Sequence, residues 1–485
     1  MLALVLLSIF LLFAYLMYSG RMAAMIALPL FAISLTIFAS LPFFMGQAPE
    51  ELSLLSKLAF SIGKTLEVLS SQVLAKGVKK LSSAIITVIL GGLFAQLLRA
   101  SSTADALLRS VAELAGDNGF AVSFVLGLVM AFLFTALGGL GSVILLANIS
   151  FPILLSLGLP PLFVACQFLM AMSLGGVFNL VNWKLYLEIL GMEVESVAAF
   201  ALPFAALYLL VFTVFNLIEC RRAKIPISAR SLVFVLIVLV IVAAASLALF
   251  YRVENSEEDG ANPLGRAFAL LLLLAFVLPH GRIYKGLGPI LAGLSPAVPI
   301  LLVLLLGVDI NASLILGILF LLRCSGAPQK SRLLLQSATE GIKGVAPAIA
   351  IMMGIGMLVV AVWQDAVVVS LSPVLKGILP SSKSGFVLFF GLLAPLSLYR
   401  GPLNIWGMGS GLLKLLQASS LLSSFQIMTA FMSTGQIQGV CDPTNTHNVW
   451  IANQLQVETR TILKRCLPYI WVLALAGLIL GAIIE

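Results

Sequence analysis

The sequence carries little charge for its length. Charged residues make up 10% of its 485 residues and apolar residues 61%, and the mean hydropathy is +1.14. In soluble globular domains roughly a quarter of the residues are charged. The composition therefore excludes a soluble domain and indicates an all-α, polytopic helical membrane protein with the lipid bilayer as its surroundings.

Residues suited to catalysis or metal binding are also scarce. The chain has two histidines, His280 and His447, far apart in sequence, and five cysteines that stand singly in or beside apolar runs. Neither set has the spacing of a zinc site, a disulfide framework or a nucleophile with its base. The nucleotide-binding pattern G-x-x-x-x-G-K-[ST] does not occur. We therefore expect no enzyme activity, no cofactor, no resident metal and no nucleotide-driven pump, and we assign His280 no function.

Basic residues outnumber acidic ones, 28 to 20, but they stand in short connectors such as 221–230 and 460–465. This placement follows the positive-inside rule for cytoplasmic loops. It therefore does not indicate a nucleic-acid surface. The acidic connector 254–259 is then expected on the opposite side. The predicted location is the cytoplasmic (inner) membrane of a prokaryote.

Apolar stretches close to the length that spans a bilayer recur along the whole chain. Some are short or end in polar residues, so we expect about 12 to 16 membrane elements, some of them incomplete crossings. The first apolar run, 2–18, is not followed by a small-residue cleavage site. We therefore expect it to be retained as a helix and not removed as a signal peptide.

Glycines and polar residues recur in the same order about 264 residues apart. The matched pairs include Gly77 and Gly341, Gly92 and Gly356, Asp105 and Asp365, Gly138 and Gly401, Gly176 and Gly439, and Asn182 and Asn445. Single matches arise by chance in so apolar a composition, but a shared order is hard to obtain that way. The order predicts a duplicated membrane unit, which is typical of secondary transporters.

The duplication divides the chain into four parts. We predict an N-terminal helix pair with an amphipathic connector (1–75), a first repeat (76–219), linking and scaffold helices (220–339) and a second repeat (340–485). An odd number of crossings in each repeat and an even number in the linker would place the second copy upside down. Two inverted-topology repeats are therefore favoured, and a parallel duplication is the alternative.

Each repeat contains a glycine-rich stretch that does not suit a continuous helix, at 137–142 and 399–404. Unpaired backbone groups in hydrocarbon are costly, so a broken helix or re-entrant hairpin must line protein or a water-filled cavity. The alternative is close helix packing through small residues. The residues of interest are Gly138, Gly141 and Ser142 in the first repeat, and Arg400, Gly401 and Asn404 in the second.

A second polar stretch follows in each repeat, at 173–182 and 433–448. Glycine can release the helix there, and Pro443 removes a backbone donor. Free amide groups at helix N-termini attract carboxylates, and free carbonyl groups can hold a small cation. The alternative is an ordinary polar loop at the membrane surface. The residues of interest are Asn179 and Asn182, and Thr444, Asn445 and Thr446.

Few titratable side chains lie near these breaks. Asp442 would bind a cation or a proton. His447 would carry a proton, and a loop histidine without a role is an equal alternative. Arg400 would pair with a substrate carboxylate through its forked guanidinium, or anchor the helix at the interface. Asp105 and Asp365 are expected to cap helices.

The residues resemble the ion transporter superfamily, and within it the metal-citrate:proton and gluconate:proton symporters. The resemblance rests on 176–179 with Asn182 and Trp183, and on 439–448 followed by Trp450. It implies uptake of a small organic anion, commonly a carboxylate, through an elevator-like movement driven by a proton or sodium gradient. The citrate group has an acidic first break, whereas 138–142 contains no carboxylate, which argues against a metal-citrate substrate.

The sequence therefore predicts a symporter of a small organic anion, with the breaks of both repeats meeting near the midplane. A cation:proton antiporter is the alternative. It would need buried carboxylates, for which only Asp365 and Asp442 qualify. A homodimer is a further expectation, from related folds. The predicted substrate-binding residues are Gly138, Gly141, Ser142, Asn179, Asn182, Arg400, Gly401, Asn404, Thr444, Asn445 and Thr446, and the coupling-ion residues, for a proton or sodium, are Asp442, His447 and Asn179.

Overall fold

The computed structural model describes residues 2–115, 118–254, 263–277, 282–326, 329–380 and 382–485. Over these ranges the protein is helical and contains no β-strand. Nearly all of the acidic connector 254–259, and His280, lie outside the described residues.

The helices of the first half extend from the N-terminus to residue 222. They are α1 (Leu2–Tyr18), α2 (Ala24–Gln47), α3 (Leu54–Glu67), α4 (Gly77–Lys79), α5 (Ser82–Ala100), α6 (Thr103–Ala115), α7 (Gly119–Phe134), α8 (Gly139–Ser156), α9 (Pro161–Gly176), α10 (Leu180–Leu190) and α11 (Val194–Arg222). A π-helical stretch, Val68–Lys76, joins α3 to α4. Leu54–Ala100 therefore run as one helix of 47 residues.

The helices of the second half begin with the segments that link the repeats. They are α12 (Ala229–Glu254), α13 (Pro263–Val277), α14 (Arg282–Leu294), α15 (Ala297–Leu306), α16 (Ile310–Cys324), α17 (Lys330–Val362), α18 (Asp365–Ile378), α19 (Lys383–Leu393), α20 (Gly409–Ser419), α21 (Ser424–Cys441), α22 (Thr446–Gln454) and α23 (Thr459–Ile484). A 3-10 stretch, Ala394–Arg400, follows α19 directly.

Seven helices within the described ranges are long and apolar enough to cross a membrane, and three bent pairs raise the number to ten. Three shorter apolar helices, α1, α7 and α16, accompany them. Large apolar side chains on α12, such as Leu236 and Val240, are 60% exposed, as expected of a surface that faces lipid. The ten spans and the three shorter helices together agree with the predicted 12 to 16 membrane elements. The protein is an integral, polytopic helical membrane protein.

The two repeats are inverted, as predicted. The long helix 54–100 packs on α17 through the repeated glycines, so closely that a Cβ at Gly77 would lie 2.7 Å from the backbone of Met357, and one at Gly341 would lie 2.7 Å from the backbone of Gly92. The earlier glycine of each helix thus meets the later glycine region of its counterpart, and the reverse. Such reciprocal contacts between equivalent residues define a two-fold relation. These equivalent helices run antiparallel, so the two-fold axis is perpendicular to them. Inverted repeats are related by an axis of this kind.

The pseudo-two-fold axis also passes between α9 and α21. Ser173 and Gln436 occupy equivalent positions, 263 residues apart, and the Ser173 hydroxyl donates to Gln436 Oε1 at 2.6 Å. Only residues near a two-fold axis can touch their own counterparts. The helices that lead into the second polar stretch of each repeat therefore cross at the centre of the duplicated unit.

The last helices of the two repeats, α11 and α23, are joined by buried charge. The Glu219 side chain is 4% exposed, and its carboxylate contacts Arg222 Nη1 at 2.8 Å and Arg465 Nη2 at 2.9 Å. Tyr469 donates a longer hydrogen bond to the same carboxylate at 3.4 Å. A buried carboxylate needs such partners, so this cluster fastens one repeat to the other.

The predicted capping role of Asp105 and Asp365 is wrong. Asp365 is the first residue inside α18, and the capping position belongs to Gln364, which makes no side-chain capping bond. Asp105 lies in the first turn of α6, and its buried Oδ1 has no partner among the described residues. Both carboxylates instead stand where the positive end of the helix dipole stabilises negative charge.

Candidate functional site

The second break of the first repeat is a bend that the Asn179 side chain joins to the first break. α9 and α10 meet at 50° across three residues. Asn179 caps α10, because its Oδ1 accepts the Val181 backbone N–H at 3.0 Å. Its Nδ2 donates to the carbonyl oxygens of Phe134 and Leu137, both at 3.1 Å. Asn179 thus fastens the second break to the backbone of the first.

The second repeat places a carboxylate at the equivalent position. Asp442 lies 263 residues after Asn179 and is fully buried between α21 and α22. Its Oδ1 accepts the Thr444 N–H at 2.8 Å and the Thr444 hydroxyl at 2.6 Å. Its Oδ2 accepts the Tyr399 N–H at 2.7 Å. Asp442 therefore joins the two breaks of its repeat as Asn179 does, but by accepting hydrogen bonds where Asn179 donates them to the first break.

Matching carbonyl groups at the end of each broken helix are also satisfied by side chains. The Val177 carbonyl accepts from Trp183 Nε1 at 2.7 Å, and the Val440 carbonyl accepts from Asn448 Nδ2 at 3.0 Å. Val177 and Val440 are equivalent residues, and both donating side chains are buried. These contacts indicate that the breaks lie inside the protein with their backbone groups paired, and they argue against ordinary loops at the membrane surface.

The first break of the first repeat is shorter than predicted. Gly138 stands just outside α8, and Gly139 adopts a φ of +79° that favours glycine. Gly141 and Ser142 lie inside the helix, and Ser142 Oγ donates to the Gly138 carbonyl at 2.9 Å. The break predicted within 137–142 is therefore confined to the residues before α8, because the helix resumes at the left-handed Gly139.

The first break of the second repeat is long and tightly folded. The left-handed region holds two consecutive residues other than glycine, Tyr399 with φ 57° and Arg400 with φ 54°. Such residues store strain and concentrate at functional sites. The loop is dense, because a Cβ at Gly401 would lie 2.2 Å from the Leu396 carbonyl oxygen, and one at Gly407 would lie 2.2 Å from that of Arg400. Only glycine fits these two approaches.

Arg400 is a half-buried cation in this loop. Its Nη1 donates to the Trp406 carbonyl at 3.1 Å, and it forms no ion pair with any residue that the structure describes. Asp442 is its charged neighbour, but both carboxylate oxygens already accept other hydrogen bonds. The guanidinium therefore retains donors and charge for a further partner.

A hydrogen bond connects the second break of the first repeat to the first break of the second repeat. Trp406 Nε1 donates to Asn182 Oδ1 at 3.0 Å, and Asn182 Nδ2 donates to the Gly176 carbonyl at 2.9 Å. Asn404 supports Trp406, because its Oδ1 accepts the Trp406 N–H at 2.9 Å. Its Nδ2 is buried and has no partner among the described residues. An orphaned buried donor of this kind points to a group from outside the protein.

The last break combines exposed and buried polar groups. Thr444 and Thr446 are exposed, whereas Asn445 is 5% exposed. Asn445 Nδ2 lies 2.9 Å from His447 Nε2, so in this amide orientation the imidazole nitrogen accepts and the ring is neutral. Asn448 Oδ1 is buried without a partner among the described residues. This break thus presents hydroxyl groups to its surroundings and an unused acceptor inside.

The breaks of the two repeats meet in pairs, since α20 contacts α10 and α8 contacts α22. Arg400, Gly401, Asn404 and Asn182 belong to one connected group. Gly141 lies elsewhere, facing Gln96. Sequence reasoning missed the residues that complete the breaks, although their positions 263 residues from known break residues could have revealed some of them. They are Ser173, Trp183, Tyr399, Trp406, Gln436 and Asn448.

Comparisons with known proteins give structural likenesses only. No protein-family model and no curated protein sequence matches the chain. The structure is similar to that of the YdaH transporter of Alcanivorax borkumensis, described as having an unusual topology, with a TM-score of 0.49 and 14% identity over 94% of this chain and 97% of that one. It is also similar to MtrF of Neisseria gonorrhoeae, described with a class of antimetabolite efflux pumps, with a TM-score of 0.47 and 16% identity over 93% and 94%. Identities this low do not indicate a substrate for this protein, so its substrate class has to be inferred from the geometry of the site.

Proposed function

We propose that this protein is a secondary active transporter of a small organic anion, a carboxylate, by symport with a proton or sodium. The observation that carries the proposal is Arg400, a half-buried guanidinium without an ion-pair partner among the described residues. A charge within a membrane protein is costly to bury and commonly marks a substrate or ion pathway. Guanidinium also matches the fork of a carboxylate.

The surroundings of Arg400 suit an anionic ligand with polar substituents. Asn404 Nδ2 supplies an unused buried donor four residues along the chain from Arg400. Helices of both repeats end at these breaks, as in transporters whose sites lie at discontinuous helices. The inverted repeats supply two related halves for alternating access to one site.

The coupling ion is proposed to bind at the second breaks. His447 carries an imidazole, a group that can take up a proton, and Asn179 and Asp442 stand at equivalent positions that suit a cation held by backbone and side-chain oxygens. Asp442 already serves three donors. Protonation of Asp442 would remove an acceptor from one of them, and protonation of His447 Nε2 would remove the acceptor of Asn445 Nδ2, so both groups remain candidates for a proton.

The test uses purified protein with and without sodium, at two pH values, against small carboxylates and sugar acids. A ligand of the folded state raises its thermal stability, and the anions found this way are then tested for uptake into proteoliposomes with an imposed sodium or proton gradient. Arg400→Gln is expected to weaken anion binding about 10- to 150-fold, since hydrogen bonds to charged groups contribute about 1.5 to 3 kcal/mol.

Arg109→Gln is the matched control, because Arg109 is an exposed arginine on α6. Equal anion binding by both variants would contradict the role of Arg400. A response to cations or pH alone, with no anion effect, would instead favour a cation:proton antiporter.

A further inference from the structure

An apolar cavity of about 140 Å³ lies beside the first break of the second repeat. α1 and α2 form one wall, including Phe10 and Phe31, and α18 contributes Val374. The opposite wall consists of Pro402, next to the strained Tyr399–Arg400 turn, and Leu412 on α20. The cavity therefore separates the N-terminal helices from the helix that follows the break.

The chemistry of the walls determines what the cavity can hold. Every lining residue is apolar, so a water molecule inside would lack the two to four polar partners that it needs. Cavities of about 150 Å³ lined by leucine, isoleucine and phenylalanine remain dry and bind benzene or xenon. The size and lining of this cavity are those of such a site.

We propose that this cavity is a binding site for one small apolar molecule of about the size of a benzene ring, which reaches it through the bilayer. Such a ligand would contact α1 and α2 on one side and Pro402 and Leu412 on the other. It would therefore bridge α20 and the N-terminal helices, which the cavity separates. The proposal does not depend on the substrate or the coupling ion.

The test measures thermal unfolding of the detergent-solubilised protein with benzene, and with phenol as a polar analogue. At ten times its dissociation constant, benzene is expected to raise the unfolding midpoint by roughly 1 to 2 °C, and phenol by less. Val374→Phe places a ring in the cavity and should abolish the shift. Val369→Phe adds the same ring on the exposed face of α18, where Val369 is 64% exposed, and should keep it.

Equal shifts in the wild type and both variants would show an effect of benzene on the micelle and overturn the proposal. Absence of a shift in the wild type would also overturn it. If Val374→Phe does not fold, Leu412→Ala replaces it. This variant enlarges the cavity, so naphthalene should then shift the midpoint more than it does in the wild type, and an unchanged response to naphthalene would count against the site.

Discussion

Replacement of Asp442 by asparagine tests how the two breaks of the second repeat are held together. The carboxylate accepts one backbone N–H on each oxygen, from Tyr399 and from Thr444. An asparagine has a single acceptor oxygen at this place. Whichever way its amide faces, its NH2 group meets one of the two N–H donors, and that buried donor loses its partner.

The expected loss of stability follows from these contacts. An unsatisfied buried donor costs about 1 to 3 kcal/mol, and the lost hydrogen bond involves a charged acceptor. The Tyr399 N–H belongs to the turn in which two residues hold positive φ, so strain in that turn would be released locally. Opening of 398–409 should therefore become about 5- to 150-fold more frequent, the factor that corresponds to about 1 to 3 kcal/mol.

Native-state hydrogen exchange, followed by mass spectrometry of peptides from 395–410, measures this opening. Glu340→Gln is the control, since Glu340 is an exposed acid whose side chain is 57% accessible and whose ion pair contributes little. The reciprocal variant Asn179→Asp should loosen the first repeat, because a carboxylate cannot donate to the Phe134 and Leu137 carbonyls. Unchanged exchange of 398–409 in Asp442→Asn would refute this reasoning.

Three further predictions concern the site and the packing. Asn445→Ala should reduce transport about tenfold or more while the protein remains folded, since a well-placed hydrogen bond contributes roughly 1 to 3 kcal/mol; unchanged uptake kinetics would remove Asn445 from the site. Gly341→Ala should destabilise the protein by about 1 to 3 kcal/mol, because its Cβ would lie 2.7 Å from the backbone of the opposing helix. Gly344→Ala is the control and should not destabilise it, because nothing lies within 4 Å of a Cβ there. Equal unfolding midpoints of the two variants would contradict this. Glu219→Gln should lower stability by about 1.5 to 3 kcal/mol, because it weakens charge-assisted hydrogen bonds to two arginines that are themselves 52% and 35% exposed; a loss below about 1 kcal/mol in chemical unfolding would show that the cluster is incidental.

Much of the fold was predictable because the membrane imposes it locally. Apolar runs must form helices in lipid, where each backbone group has to be paired within its own segment. Glycine, proline and asparagine then mark where helices end, which is why the break at Asn179 and the one at Asp442 were both anticipated. The predicted helix cap at Asp365 is wrong by one residue, because the capping position belongs to Gln364. The exact end of a helix depends on backbone geometry that composition does not specify. The break expected over 137–142 is present but short, because one left-handed glycine, Gly139, is enough for the turn.

The sequence by itself determined the membrane setting, the duplication and the positions of the breaks, because each depends on residue type or spacing along the chain. It favoured inverted repeats over a parallel duplication, and the reciprocal contacts of Gly77 and Gly341 decided between them. Only the tertiary structure decided which breaks meet. The bond from Trp406 to Asn182 joins residues 224 apart, and that from Tyr399 to Asp442 joins residues 43 apart. Two further features likewise depend on how the helices pack: Arg400 has no ion-pair partner among the described residues, and an apolar cavity lies beside Pro402. A sequence names the groups that can bond, but their partners depend on how distant helices cross.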